Sequence, residues 1–135
     1  MAEIEVELRN IAGTEAALGW AGAHTIVVDR PEGRAGGKGL GFNGGQLLAL
    51  ALGGCFCNDL RYAAAELGAP LADISVSVRL TLDGAPLVAT SAELKVSCTG
   101  AGEAEIEKVI AHAARNCTVA NSLRAGFPVD IRRDG

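Results

Sequence analysis

Residues 74–82 alternate without a fault between apolar side chains and small or polar ones, and this pattern restricts the fold more than any other in the chain. The apolar members would share one face of a strand: Ile74, Val76, Val78, Leu80 and Leu82. The turn sequence DGAP follows at 83–86, and residues 88–98 are expected to return antiparallel. A hairpin with one apolar face must bury that face against another element of the fold.

A long helix is predicted just before the hairpin, from about Gly44 to Leu67. Asn43 suits its N-cap, and Gly68 supplies a C-terminal stop. The segment LLALAL at 47–52 is apolar nearly all round. This composition predicts a central helix that is fully covered in its first half.

The remaining segments predict further strands and a second helix. Residues 31–45 contain seven glycines and are interpreted as a flexible connector. The other predicted elements are strands at 4–8, 16–20 and 24–29, a helix at 102–116, a turn or helix at 121–123, and a last strand at 128–131. The order predicts one α+β domain, residues 1–135, with antiparallel sheets and helices on one side.

Composition excludes several classes of function. The net charge of −4 and the pI near 5.1 argue against a nucleic-acid partner. The longest apolar run, residues 47–57, is shorter than the roughly 20 residues that span a bilayer. The first ten residues lack the pattern of a signal peptide, so we expect a cytoplasmic protein without a membrane partner. Its four cysteines are then not a disulfide framework.

The sequence supports neither a dinucleotide-binding motif nor a metal-binding motif. A GxGxxG pattern occurs at Gly39, Gly41 and Gly44, but no βαβ unit follows, so no dinucleotide cofactor is predicted. The chain has no Cys-x-x-Cys, and His24 and His112 lack ligand spacing. No metal and no cofactor are therefore expected.

The cysteines are the remaining candidates for chemistry. Cys55 and Cys57 stand two positions apart on the predicted helix, so their side chains point roughly 200° apart and cannot share one site. Cys57 and Cys98 are interpreted as core residues, the usual environment of a free cysteine. Cys117 closes the apolar stripe of the second helix, which suits either a core position or a group presented to the central helix.

Two segments resemble the OsmC/Ohr family, the osmotically inducible protein C-like and organic hydroperoxide resistance proteins. The first is GGKGLGFNGGQLLALALGGC at 36–55, where a glycine-rich connector leads to a helix that carries a cysteine after two small residues. The second is AHAARNCTVANSL at 111–123, and the ending GFPV at 126–129 also fits. The resemblance covers nearly the whole chain and includes the order of elements.

The resemblance implies an intertwined homodimer with sites at the subunit interface. It also implies catalytic roles for Cys55 and Cys117. The Cys55 thiolate would attack a peroxide and become a sulfenic acid, and Cys117 would condense with it to a disulfide that an external dithiol reduces. The function expected is thus an antioxidant thiol peroxidase of the stress response. The reasoning from helix phase leaves open whether Cys57 replaces Cys55.

The chain departs from the hydroperoxide-resistance branch at several positions. Gly45 stands where that branch has a glutamate, Gly44 where it has a proline, and Thr118 where it has a proline after the second cysteine. The branch's arginine is missing between the first two strands. These departures indicate a divergent OsmC-like subgroup. The alternative is a non-catalytic OsmC-like dimer that holds a small apolar molecule in its interface cleft.

Overall fold

The structure is a computed structural model that describes residues 1–134, and it is of the α+β class. Its backbone contacts divide the chain into two units, Met1–Leu48 and the part from Ala49 onward. No helix in the described part of the chain has the length and apolar character that crossing a membrane requires.

The first unit contains a three-stranded antiparallel sheet in the order β1–β2–β3. Its strands are β1 (Glu7–Asn10), β2 (Ala17–Ala21) and β3 (His24–Val28). The predicted meander is therefore confirmed. Its first strand begins later than predicted, because Ile4 precedes the residues that pair with β2, and the Ile4 side chain is 90% exposed.

The glycine-rich connector is held by a buried carboxylate, that of Asp29. Its two oxygens accept hydrogen bonds from the backbone N–H groups of Arg30, Lys38 and Leu40, at 2.8, 3.0 and 3.0 Å. These bonds, with that of Leu40 as the largest influence, lower the pKa of Asp29 below its ordinary value. A segment expected to be flexible thus has a fixed path around one side chain.

Gly41 is explained by close packing within the first unit rather than by a bound dinucleotide. Phe42 forms a parallel bridge with Val28, and its backbone N–H donates to the Val27 carbonyl at 3.0 Å. A Cβ atom on Gly41 would lie 2.0 Å from that same Val27 oxygen. Only glycine lets the connector approach β3 this closely.

The central helix α1 (Gly44–Leu67) has the predicted bounds. Asn43 and Gln46 form a reciprocal cap: the Gln46 N–H donates to Asn43 Oδ1 at 2.9 Å, and the Asn43 N–H donates to Gln46 Oε1 at 3.0 Å. Gly68 ends the helix with a φ of +66°, a conformation that favours glycine.

The prediction that the first half of α1 is fully covered is wrong for the single chain. Leu50 is 52% exposed, and Ala51 is exposed as well, whereas Leu52 is buried. The apolar composition favours burial of this turn of the helix, but it does not identify the residues that would bury it. The described chain covers only one side of the helix here.

The second unit contains the predicted hairpin of β4 (Ile74–Asp83) and β5 (Val88–Cys98). Alternate residues of β4 are half-buried from Ile74 to Leu80, as the period of two predicted. Helix α1 lies close to this face, because a Cβ atom on Gly53 would be 2.9 Å from the Val78 side chain. Arg61 joins α1 to the segment before β4 by donating to the carbonyls of Leu71 and Ala72.

Two helices complete the second unit, α2 (Glu103–Asn116) and α3 (Thr118–Ala125). The predicted turn or helix at 121–123 is thus the middle of an eight-residue helix. The core joins α1, the segment after it and α2 through these buried residues: Phe56, Leu60, Ala63, Ala64, Ala69, Val109, Ala113 and Cys117. Cys55 and the inner faces of β4 and β5 pack around this cluster.

The predicted last strand, Pro128 to Ile131, does not form. The segment has no strand pairing, and the side chains of Val129 and Ile131 are 75% and 90% exposed. These residues have a local preference for the strand conformation. A strand also needs a neighbouring strand for its backbone hydrogen bonds. No strand within the described chain provides one.

Candidate active site

Cys55 lies near the middle of α1, and its half-buried side chain packs against the core cluster of the second unit. Its neighbour Phe56 is 6% exposed, and Leu60, just over one turn later, is completely buried. The apolar pattern of α1 therefore fixes the face on which Cys55 lies. The sulfur sits at the border between the core and solvent, which lets a small reagent reach it.

Cys117 lies at the junction of two helices. It follows the last residue of α2 and precedes the first residue of α3, with extended backbone angles of φ −67° and ψ 110°. Its side chain is fully buried. The apolar stripe of α2 through Val109 and Ala113 continues to Cys117, so the same pattern that packs α2 also brings this sulfur into the core.

The structure brings Cys55 and Cys117 together and adds Asp59 to them. The Cys55 Sγ, the Cys117 Sγ and a carboxylate oxygen of Asp59 all lie within 4.8 Å of one another. The Cys55 thiol donates to Asp59 Oδ2 across 3.5 Å. The site is therefore two thiols that share one carboxylate, which we call the thiol–carboxylate site.

The two thiols have different environments. Burial, as the main cause, raises the pKa of Cys117 to about 11, and contacts with Cys55 and Asp59 act in the same direction. The backbone N–H of Ala120 in α3 opposes this shift but is outweighed. At neutral pH Cys117 is thus a protonated thiol, while Cys55 is the more accessible of the two sulfurs.

Asp59 was not identified from the sequence as part of a site. It was read only as one of the polar residues that make the second half of α1 amphipathic. The spacing of four between Cys55 and Asp59 could have identified it, because residues at i and i+4 are neighbours on a helix surface. Its proximity to Cys117 depends on how α1 packs in the core, which no local pattern reveals.

Cys57 and Cys98 lie outside the thiol–carboxylate site. Cys98 faces the core from the end of β5, and burial raises its pKa. Arg61 lowers that pKa and Cys57 raises it, so these two residues share the environment of Cys98. The expectation that Cys55 and Cys57 have separate environments agrees with this placement.

Among the described residues, the thiol–carboxylate site is also the group whose donor atoms are close enough to hold a metal ion. A divalent cation would need both sulfurs as thiolates. The burial of Cys117 favours its protonated thiol, whose proton a metal ion would have to displace.

Comparison with protein-family models identifies the family to which this chain belongs. The model described as OsmC-like protein matches residues 36–132, which include Cys55, Asp59 and Cys117. The chain belongs to the OsmC-like family. No curated protein matches this OsmC-like chain.

Several solved structures share the OsmC-like fold. One is from Legionella pneumophila and is described as an organic hydroperoxide resistance protein OsmC. It is 22% identical with a TM-score of 0.70, and the match covers 92% of this chain and 90% of the Legionella chain. An OsmC-like protein from Mycoplasma pneumoniae is 16% identical with a TM-score of 0.77 and coverages of 91% and 88%. OhrB of Bacillus subtilis, an organic hydroperoxide resistance protein, is 21% identical with a TM-score of 0.64 and coverages of 91% and 91%.

Proposed function

We propose that this protein is a thiol-dependent peroxidase that reduces organic hydroperoxides or hydrogen peroxide through a cycle of two cysteines. The observation that carries the proposal is the proximity of the two sulfurs, within 4.8 Å, with one at the edge of the core and one inside it. Membership of the OsmC-like family, and the names of two similar structures as organic hydroperoxide resistance proteins, support the substrate class.

In the first half of the cycle, the Cys55 sulfur attacks the terminal oxygen of the peroxide. An S–O bond forms, the O–O bond breaks, and the sulfur gives up two electrons. The products are a Cys55 sulfenic acid and an alcohol, or water when the substrate is hydrogen peroxide. The partial exposure of Cys55 suits this role, because the attacking sulfur must meet a molecule from solvent.

In the second half, the Cys117 sulfur attacks the sulfenic sulfur of Cys55. An S–S bond forms and water leaves. An external dithiol then returns both residues to thiols by exchange. The cytoplasm expected from the sequence would supply such a reductant.

The proposed cycle predicts the loss of two thiols per equivalent of peroxide. An anaerobic thiol count before and after one equivalent of cumene hydroperoxide or hydrogen peroxide should fall from four to two. Peptide mapping should place the bridge between Cys55 and Cys117. Four thiols that survive excess peroxide would contradict the proposal and favour the non-catalytic dimer, whose cleft would hold a small apolar molecule.

We also propose that the functional form is a homodimer, in which a second copy covers apolar surface that this chain leaves bare. On α1, Leu50 is 52% exposed and Tyr62 is 72% exposed. Within residues 1–134, the strand-like segments at 4–6 and 128–131 have no strand partner, and Ile131 is 90% exposed. Apolar segments with strand propensity and no partner are typical of chains that pair with another copy.

The homodimer predicts a solution mass of about twice that of the 13.7 kDa chain. Sedimentation equilibrium should give this mass for the full chain at micromolar concentration. Deletion of residues 127–135 should shift the equilibrium towards the monomer, because it removes the exposed apolar side chains of Phe127, Val129 and Ile131. A mass of one chain at all concentrations would contradict the dimer.

A further inference from the structure

We propose that Asp59 is a catalytic proton shuttle for both thiols of the site. Its carboxylate takes the proton of Cys55 as that sulfur attacks the peroxide, and returns the proton to the departing oxygen. It then repeats the transfer for Cys117. This inference rests on the proposed peroxidase function and deepens it.

The geometry places one proton acceptor beside both reacting atoms. Asp59 Oδ2 accepts the hydrogen bond of the Cys55 thiol at 3.5 Å. A carboxylate oxygen of Asp59 is also within 4.8 Å of the Cys117 sulfur. Asp59 is half-buried, one residue before the completely buried Leu60. A general acid or base must reach the atom that gives or receives the proton directly or through one water, and such contacts commonly tighten when substrate binds.

In the first step the proton balance requires a carrier. The Cys55 thiol must lose a proton, and the oxygen that leaves when the O–O bond breaks must gain one, because a free alkoxide is a poor leaving group. Asp59 can accept the first proton and deliver it to the second position. The net change is thiol and hydroperoxide to sulfenic acid and alcohol, and Asp59 ends as the carboxylate from which it started.

The second step needs the same carrier even more. Burial raises the pKa of Cys117 to about 11, so its protonated thiol is strongly favoured at pH 7. The thiolate is the attacking species, and the sulfenic acid must release its oxygen as water. Asp59 can take the Cys117 proton and give it to the departing hydroxide, so the S–S bond forms with no net change at Asp59.

A second explanation of Asp59 predicts the opposite effect and is therefore testable. As a fixed negative charge, Asp59 could only oppose the negative charge that an attacking sulfur carries. It either moves protons or acts as an electrostatic brake.

The experiment compares two uncharged reagents on the variant Asp59→Asn, which keeps the size and a hydrogen-bond acceptor but cannot carry a proton. Cumene hydroperoxide needs a proton for its leaving oxygen, whereas iodoacetamide releases iodide and needs only the thiolate. In a Cys57→Ser background, with alkylation of Cys55 located by peptide mapping, we expect about 100-fold slower single-turnover loss of peroxide. We expect alkylation of Cys55 not to slow, because iodide leaves without a proton.

The matched control is Glu66→Gln, which makes the same chemical change seven positions later on α1, where the side chain is 68% exposed. Both of its rates should equal those of the parent. If Asp59→Asn speeds both reactions, the carboxylate is only a brake and the inference is wrong. If both reactions slow together, Asp59 acts through the structure of the site, and the inference is also wrong. A parent protein that consumes no peroxide would overturn the proposed function itself.

A measurement on the parent protein avoids any substitution at the site. The single-turnover rate with cumene hydroperoxide, read with a chelator present, should be slower in D₂O than in H₂O, because a proton moves as the O–O bond breaks. Iodoacetamide under the same conditions corrects for the change of solvent. Equal solvent effects on the two reactions would overturn the proton shuttle even if Asp59→Asn fails to fold.

Discussion

Replacing Cys55 with serine is expected to reduce peroxide consumption to the rate measured without protein, a fall of at least about 1,000-fold. The serine hydroxyl fills nearly the same space at the edge of the core, but it cannot form the S–OH intermediate on which the proposed cycle depends. The measurement is the initial rate of cumene hydroperoxide loss in the presence of excess dithiol. Circular dichroism and a thermal melt should match those of the parent.

The matched control is Cys57→Ser, two positions later on the same helix. Cys57 lies in the environment of Cys98 and not in the thiol–carboxylate site, so this variant should keep the parent rate within about twofold. A result in which Cys57→Ser loses the activity and Cys55→Ser keeps it would reassign the attacking sulfur. Loss in neither variant would contradict a mechanism based on either cysteine.

Leu60→Ala is expected to lower the free energy of unfolding by about 2–5 kcal/mol. Leu60 is completely buried in the core cluster that also contains Val109 and Cys117, and truncation removes three carbon atoms and leaves a cavity. Urea unfolding, followed at one fixed protein concentration, should show a lower midpoint at an unchanged slope.

Leu67→Ala provides the comparison for this substitution. The chemical change is identical and on the same helix, but Leu67 is 46% exposed at the last residue of α1. We expect a loss below about 1 kcal/mol. Equal losses for the two variants would mean that the second unit does not depend on the core cluster described here.

The elements predicted from local patterns have the correct bounds where the sequence carries its own boundary residues. Helix α1 runs from Gly44 to Leu67 because Asn43 caps one end and Gly68 stops the other. Strand β5 likewise has its predicted bounds because the preceding turn fixes the register of the hairpin. Family membership was also predicted, since the two cysteine segments are motifs within the sequence itself.

The features that were missed depend on partners that are distant in sequence or absent from the chain. The apolar residues of 128–131 predicted a strand, but no neighbour within the described chain pairs with it. Asp29 was read as the end of a strand, whereas its carboxylate fixes residues nine and eleven positions later. Asp59 joined the site only when the packing of α1 brought Cys117 beside it.

The position of Cys117 between α2 and α3 has a consequence for the thermodynamics of oxidation. Cys55 and Cys117 stand 62 positions apart in sequence, yet the folded chain already holds their sulfurs within 4.8 Å. In an unfolded chain, closing a loop of this length costs about 4 kcal/mol of entropy. Folding therefore raises the effective concentration of one thiol at the other by about a thousandfold. By the same linkage, a bridge formed during oxidative stress would make the protein harder to unfold when damage to other proteins is greatest.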